Sequence, residues 1–305
     1  MNKRLLYLTI LVIALFVIGI RIGSYSEQTK QSSIQANNII SALSYKAIAN
    51  DGIEDTQAIQ SAIDHISSDG GGIATFPKGV YLIDATKSII LKNNVTLKFN
   101  EGAILKVIPN SAAYYEVLRI HDVKKVSILG KLTIVGDRKE HIGQEGQWGF
   151  GISIRGSEEV IIKNVQIQDC WGDGIYIGST EQQNYSKNIT IENPVLKNNR
   201  RQGISIISAV NLKIIKPVIT DTNGTSPESG IDIEPNQHTE RIVNVNIINP
   251  NLFNNLGYGI LIHLVNLNEN SVPVSVTVDF SESPIKDEFR VDKPEKIKGQ
   301  IKVLY

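Results

Sequence analysis

Cysteine is nearly missing from this chain. Cys170 is the single one in 305 residues, which excludes an intramolecular disulfide framework and zinc sites built on paired cysteines. Large aromatics are scarce too. There are 7 Phe and 2 Trp against 24 Gly, so any large core must be aliphatic. Net charge is absent, with Lys+Arg and Asp+Glu both at 31. That argues against a nucleic-acid partner held by a basic field. A composition of 41% hydrophobic and 20% charged residues excludes global disorder. The length allows two domains or one elongated all-β domain.

A long uncharged run does stand at the start. Residues 5–20 lie between the basic Lys3-Arg4 and Arg21. As a helix the run would span roughly 24 Å, a little short of a ~30 Å hydrocarbon core. Residues 1–26 therefore read as a signal peptide or signal anchor. The expected location is extracellular, or at the cell surface with membrane anchoring through residues 5–20. Residues 27–44 are polar and read as a linker.

Next comes a helical pattern. Ala58, Ile59, Ala62, Ile63 and Ile66 share one apolar face. This predicts a short helix over about 55–67 with Asp55 as N-cap. Beyond it the chain is repetitive. Gly151, Gly174, Gly203, Gly230 and Gly259 each precede Ile-x-Ile, at spacings of 23, 29, 27 and 29 residues. Asn164, Asn188, Asn211 and Asn244 open a second motif in phase with the first. Such a period marks a solenoid. Short strands alternating apolar and polar residues suit a parallel β-helix, with aliphatic residues stacked inward and polar alternates facing solvent. Asn suits the corners because it tolerates the αL conformation. The helix would cap the open N-terminal end of the core. Strands over about 268–305 would close the other end, as a strand or hairpin. The whole of residues 45–305 is thus one all-β, single-stranded parallel β-helix domain.

Asp51-Gly-Ile-Glu-Asp-Thr-Gln-Ala-Ile-Gln60, Gly70-Gly-Gly and Phe76-Pro-Lys-Gly-Val-Tyr81 resemble the N-terminal region of the pectate lyase superfamily. The resemblance covers residues 45–263 and implies a right-handed β-helix. It is specific for the fold and weak for the reaction. Asp173-Gly174-Ile175 is similar to the first Asp-Gly-Ile of polygalacturonases. The following coils depart from that family: Arg201-Gln202-Gly203 lacks its Asp-Asp pair, and Glu228-Ser229-Gly230 lacks its histidine.

Polar residues gather on one face of the repeat. Asp173 and Glu228 stand two coils apart, roughly 10 Å along the axis. Inverting glycosidases space their carboxylates ~6.5–9.5 Å apart, so this pair is a candidate acid and base. Arg201, with Gln202 beside it, could bind a uronate carboxylate. Asp232, Glu234 and His263 form a second candidate acid–base or cation cluster. Trp148, Trp171, Tyr176 and Tyr258 are candidates for stacking on sugar rings. Asp137, His141 and Glu145 lie in a long loop expected to wall the groove. These residues suggest an exported enzyme hydrolysing an acidic, uronic-acid-containing polysaccharide in a groove along the β-helix. A lyase or C5-epimerase on the same substrate class and a non-catalytic carbohydrate-binding surface protein stay open. No cofactor is expected, calcium being the one metal left open.

Overall fold

The computed structural model describes residues 38–283 and 288–305. The expected leader, residues 1–26, and most of the expected linker lie outside them. Among the described residues no helix is long and apolar enough to cross a membrane.

Strands pair in parallel from coil to coil, and a full coil supplies one strand to each of three faces. In one coil these are Ile175–Gly178, Ser186–Glu192 and Val195–Lys197. The first belongs to an eight-stranded sheet, the groove face. The other two belong to a fifteen-stranded sheet that turns a corner. The turn is visible in Lys124–Val135, which pairs with Glu158–Lys163 at its start and with Gln166–Gln168 at its end.

The repeat fixes what lies inside. Ile152, Ile175, Ile204, Ile231 and Ile260 are in register and fully buried. A second column two residues on, from Ile154 to Ile262, does the same. Each buried isoleucine contributes about 1.5–3 kcal/mol, so the stack needs no disulfide. The glycine column has a steric cause. A Cβ on Gly203 would stand 2.4 Å from the Gly230 carbonyl of the next coil and 2.3 Å from the Ile219 side chain. Asn188, Asn211 and Asn244 adopt φ of 56°, 57° and 53°. The side-chain amides of Asn211 and Asn244 each donate to the asparagine of the preceding coil, Asn188 and Asn211, at 2.9 Å.

The capping helix runs Thr56–Ser68 and buries Ile59, Ala62, Ile63 and Ile66 against the first coils. Asp55 precedes it without capping it. Its carboxylate accepts instead from the amides of Ile48 and Leu82, both at 3.0 Å, and ties the chain entry to the first coil. Two boundaries differ from expectation. Ile39–Ser41 pairs with Gly72–Phe76, so the solenoid starts inside the expected linker. At the other end, Val274–Asp279, Phe289–Asp292 and Gly299–Leu304 pair in parallel with the coils before them. They continue the solenoid and form no hairpin, because their alternation is in phase with the core columns.

Candidate functional site

On the groove face Arg119, Ser153, Tyr176, Ser205, Asp232, Leu261 and Arg290 form one outward column. Polar alternates were expected to face solvent, yet Ser153, Ser205 and Asp232 are fully buried. Long side chains from neighbouring positions lie down over them. Arg155 donates from Nε to Ser153 Oγ at 3.0 Å, and Arg201 from Nη1 to Ser205 Oγ at 3.4 Å. The groove face therefore has a buried polar layer above the isoleucine core.

Three carboxylates surround Arg201. Its Nη1 stands 3.3 Å from Asp173 Oδ2, and its Nη2 donates to Glu234 Oε1 at 2.5 Å. Ser205 Oγ donates to Asp173 Oδ2 at 2.8 Å, and Gln202 Nε2 donates to Asp232 Oδ2 at 2.7 Å. Asp173 and Asp232 are wholly covered, whereas the Glu234 side chain is 20% exposed and lines the groove. Burial disfavours the charged form of both aspartates. It raises Asp173 to about 6 against the opposing pull of Arg201. For Asp232, burial and the neighbouring Glu234 raise it to about 9. Burial and the neighbouring Glu234 thus both push Asp232 toward its neutral form, and its Oδ1, buried, has no hydrogen-bond partner among the described residues. This is the like-charge logic of paired carboxylates, one of which must stay neutral.

Beside this cluster lies an open groove of about 280 Å³, walled by Tyr114, Trp148, Phe150, Arg155 and Tyr176. Tyr176 stacks on Phe150 with centroids 4.8 Å apart, and the Arg155 guanidinium lies 4.1 Å from the Tyr176 centroid. Trp148 is 44% exposed at the rim. Of the expected stacking residues, Trp148 and Tyr176 lie in this groove.

The structure separates the other expected site residues. Glu228 sits in a turn, where its carboxylate accepts from the Gly224 amide at 2.5 Å. It makes no contact with Asp173, so the expected acid–base pair does not assemble. The loop inserted at residues 221–229 carries Glu228 out of the column that the repeat implied. Gln202 is buried between coils, accepting from the Ser229 amide at 2.9 Å, and cannot touch a ligand in the groove. Trp171 cannot stack on a sugar, because both ring faces are taken. His141 stacks at 3.9 Å on one contact and the Arg200 guanidinium lies 3.8 Å from the ring on another. His263 faces Asp292 at 3.3 Å, while Glu234 turns to Arg201. Tyr258 accepts from Arg290 Nη1 at 2.6 Å, at the far end of the groove face. Among the described residues no three His, Cys, Asp or Glu side chains group in a way that could hold a metal ion. Cys170 is buried, and burial pushes its thiol above the normal range.

One cluster was not anticipated. Glu116 on Tyr114–His121 is buried and accepts from Tyr114 OH at 2.6 Å. His121 Nε2 is 3.1 Å from Glu116 Oε1 and 3.1 Å from Ser153 Oγ, and Arg119 and Arg155 approach the same carboxylate at 3.6 and 3.5 Å. Burial pushes Glu116 upward, but His121 and Tyr114 outweigh it and hold the group down at about 2. Ser153, His121 and Glu116 do not form a nucleophilic triad. Arg119 Nε donates to His121 Nδ1 at 3.0 Å, so Nε2 carries the hydrogen and cannot take one from the serine. The available signal was the alternation of Leu118 and Ile120, in register with Ile152 and Ile154. Val117 in place of the repeat glycine hid this coil.

The 136–147 loop is pinned at its base. Asp137 is buried, accepts from Tyr115 OH and from both nitrogens of Asn110, and meets His141 Nδ1 at 2.8 Å. Arg200 Nη1 holds the Gly146 carbonyl at 3.0 Å. The loop delivers Trp148 to the groove rim.

Comparison with known proteins agrees with this architecture. YclG, an uncharacterized protein of Bacillus subtilis, is 33% identical over 264 residues, covering 74% of this chain and 45% of that protein. YorA, an uncharacterized SPbeta prophage-derived protein of the same organism, is 31% identical over 209 residues, covering 60% and 36%. The chain thus spans less than half the length of these curated relatives. Among solved structures, a 1,3-α-1,4-β-D-galactose-4-sulfate-3,6-anhydro-D-galactose-2-sulfate 4 galactohydrolase gives a TM-score of 0.62 at 17% identity, covering 84% of this chain and 60% of that one. A tailspike protein of E. coli bacteriophage HK620, in complex with a hexasaccharide, gives 0.60 at 14% identity, covering 87% and 49%. At such identities the likeness is one of fold. The right handed beta helix region family matches residues 77–266, and the chain belongs to that family.

Proposed function

We propose that the protein binds a polysaccharide along its groove face and hydrolyses a glycosidic bond at the Asp232–Glu234–Arg201 cluster, as an exported or surface-anchored enzyme. The observation that carries this reading is a buried Asp232, pushed toward its neutral form by burial and by Glu234, beneath a Glu234 that is paired with Arg201 and lines an aromatic-walled groove. Glu234 is the carboxyl that meets the substrate. Asp232 supplies the proton that Glu234 delivers to the leaving oxygen, and the water that then bonds to the ring carbon returns a proton to Glu234, restoring the pair. With Asp232 neutral, Asp173 and Glu234 outweigh Arg201 by one negative charge. That field favours the positive charge that develops on the sugar ring as the bond breaks. The solved neighbours include proteins whose names state action on sulfated galactans or binding of oligosaccharide, which suits the same substrate class.

Elimination or C5 epimerisation of a uronate has less support. Either needs a free cation on the same sugar as the acid–base group, and beside Glu234 both Nη atoms of Arg201 are engaged by Asp173, Ser205 and Glu234. A non-catalytic binding role draws on one observation, the complete cover over Asp173 and Asp232. Reducing-end release from a panel of acidic and neutral polysaccharides separates the two readings. Hydrolysis by the wild type, lost by ~10²–10⁴-fold in Glu234→Gln with the melting temperature kept, is the expected result. Binding without release from any polymer would leave the binding role.

A further inference from the structure

The groove is electrically divided along its length. At the Arg201 end the guanidinium is consumed by Asp173 and Glu234, and the cluster has surplus negative charge. A sugar carboxylate placed there would be a further anion beside two others. The other end differs. Glu116 alone faces Arg119, Arg155 and His121. Arg155 spends only its Nε, on Ser153 Oγ at 3.0 Å and near Glu116 at 3.5 Å. Neither Nη of Arg155 hydrogen-bonds to any of the described residues. The guanidinium lies over the Tyr176 ring, 4.1 Å from its centroid, with the side chain 21% exposed into the groove. A guanidinium fixed in this way, with its outer donors unused, is preorganised for a planar anion. Trp148 and Tyr114, both exposed beside it, offer apolar faces for sugar rings.

Register gives the separation. Ser153, on which Arg155 leans, is three coils from Asp232, or about 14 Å along the axis. The side chains close much of that distance, because the Arg155 guanidinium lies over Tyr176 and Glu234 reaches back to Arg201; an extended sugar chain advances by close to one coil spacing per residue, so the two groups are addressed by neighbouring sugars.

Resting on the reading that this groove binds a polysaccharide, we propose that it takes a chain with a neutral sugar over Glu234 and a carboxylate- or sulfate-bearing sugar at Arg155. The substrate class is then a heteropolymer in which anionic sugars are interspersed with neutral ones, not a polymer charged at every residue.

Binding tests this without turnover, using Trp148 fluorescence; Trp171, sealed between His141 and Arg200, supplies a constant background. The full chain is titrated at low salt with sodium glucuronate, glucose 6-sulfate and methyl glucoside. At least one anion is expected to bind tenfold or more tightly than methyl glucoside, and the stronger of the two identifies carboxylate or sulfate. Arg155→Gln should abolish that preference, with Arg155→Lys intermediate, while Asp232→Asn keeps it. Equal affinity for all three probes, or a preference that survives in Arg155→Gln with an unchanged circular dichroism spectrum, overturns the anion subsite. The neutral subsite is tested with polygalacturonate of graded methyl esterification, on the same backbone throughout. Affinity should peak at intermediate esterification; a monotonic dependence, or no binding, overturns it. Because none of these readouts needs hydrolysis, loss of the catalytic reading would leave the anion preference at Arg155 intact.

Discussion

Asp232 keeps a carboxyl group where water does not reach it, and this has opposite consequences for chemistry and for stability. The native state retains a proton that the unfolded chain loses above the ordinary aspartate pKa. Stability therefore falls as pH rises from about 4 toward 9. Asp232→Asn keeps an oxygen to accept from Gln202 without any charge to bury. It is expected to lose ~10²–10⁴-fold in hydrolysis while melting higher than the wild type at pH 8 and close to it at pH 4. A lower melting temperature at pH 8 would contradict the buried, protonated state. Ser205 shows how a solvent-facing register position can be misleading. Its hydroxyl donates to Asp173 beneath Arg201, so Ser205→Asp would place a second carboxylate beside a buried one. Several kcal/mol of destabilisation is expected, with loss of soluble expression.

At the scale of the strand, the coil repeat imposes two independent demands. Inward positions must be apolar, and Ile204→Asp or Ile231→Asp should unfold the protein by putting an unpaired charge into a closed aliphatic column. The residue before each inward isoleucine must be small where coils approach closely. Gly203→Ala would drive a Cβ into the Gly230 carbonyl and Ile219. A cost of about 1–3 kcal/mol is expected, read as a lower midpoint in urea with an unchanged m-value. The same change at Gly52, whose Cβ would meet nothing within 4 Å, tests conformation separately, because its φ of 78° strains any side chain.

Across the whole molecule, titrating groups with opposed shifts set the pH range of stability. Glu116 is held at about 2 against an ordinary 4.5. Its contribution is complete above about 4.5 and is lost as pH falls toward 2. Asp173 and Asp232 act in the other direction, each destabilising the fold as pH rises above about 4, toward 6 for the first and 9 for the second. The melting temperature should therefore peak in weakly acidic solution and decline on both sides. A plateau from pH 4 to 9 would mean that the aspartates ionise freely. Far-UV circular dichroism of residues 38–305 should be β-dominated, since the capping helix has only 13 residues.

Periodicity was enough for the architecture. Recurrent Gly-Ile-x-Ile, in-phase asparagines and an amphipathic segment ahead of them fix the inward columns, the corners and the cap. Each of these is a local demand repeated coil after coil, and repetition makes it readable from the chain. The site was legible only in part. Arg201, Asp232 and Glu234 stand where the repeat puts them, but the repeat could not say that Arg201 would fold down over Asp173 and Ser205 and bury them. Nor could it show that the 221–229 insertion displaces Glu228, that His141 and Arg200 close both faces of Trp171, or that Val117 hides a coil carrying Glu116. Those outcomes depend on which long side chain reaches which neighbour one or two coils away. Such contacts are set by loop paths and charge pairing in three dimensions, and no spacing along the chain encodes them.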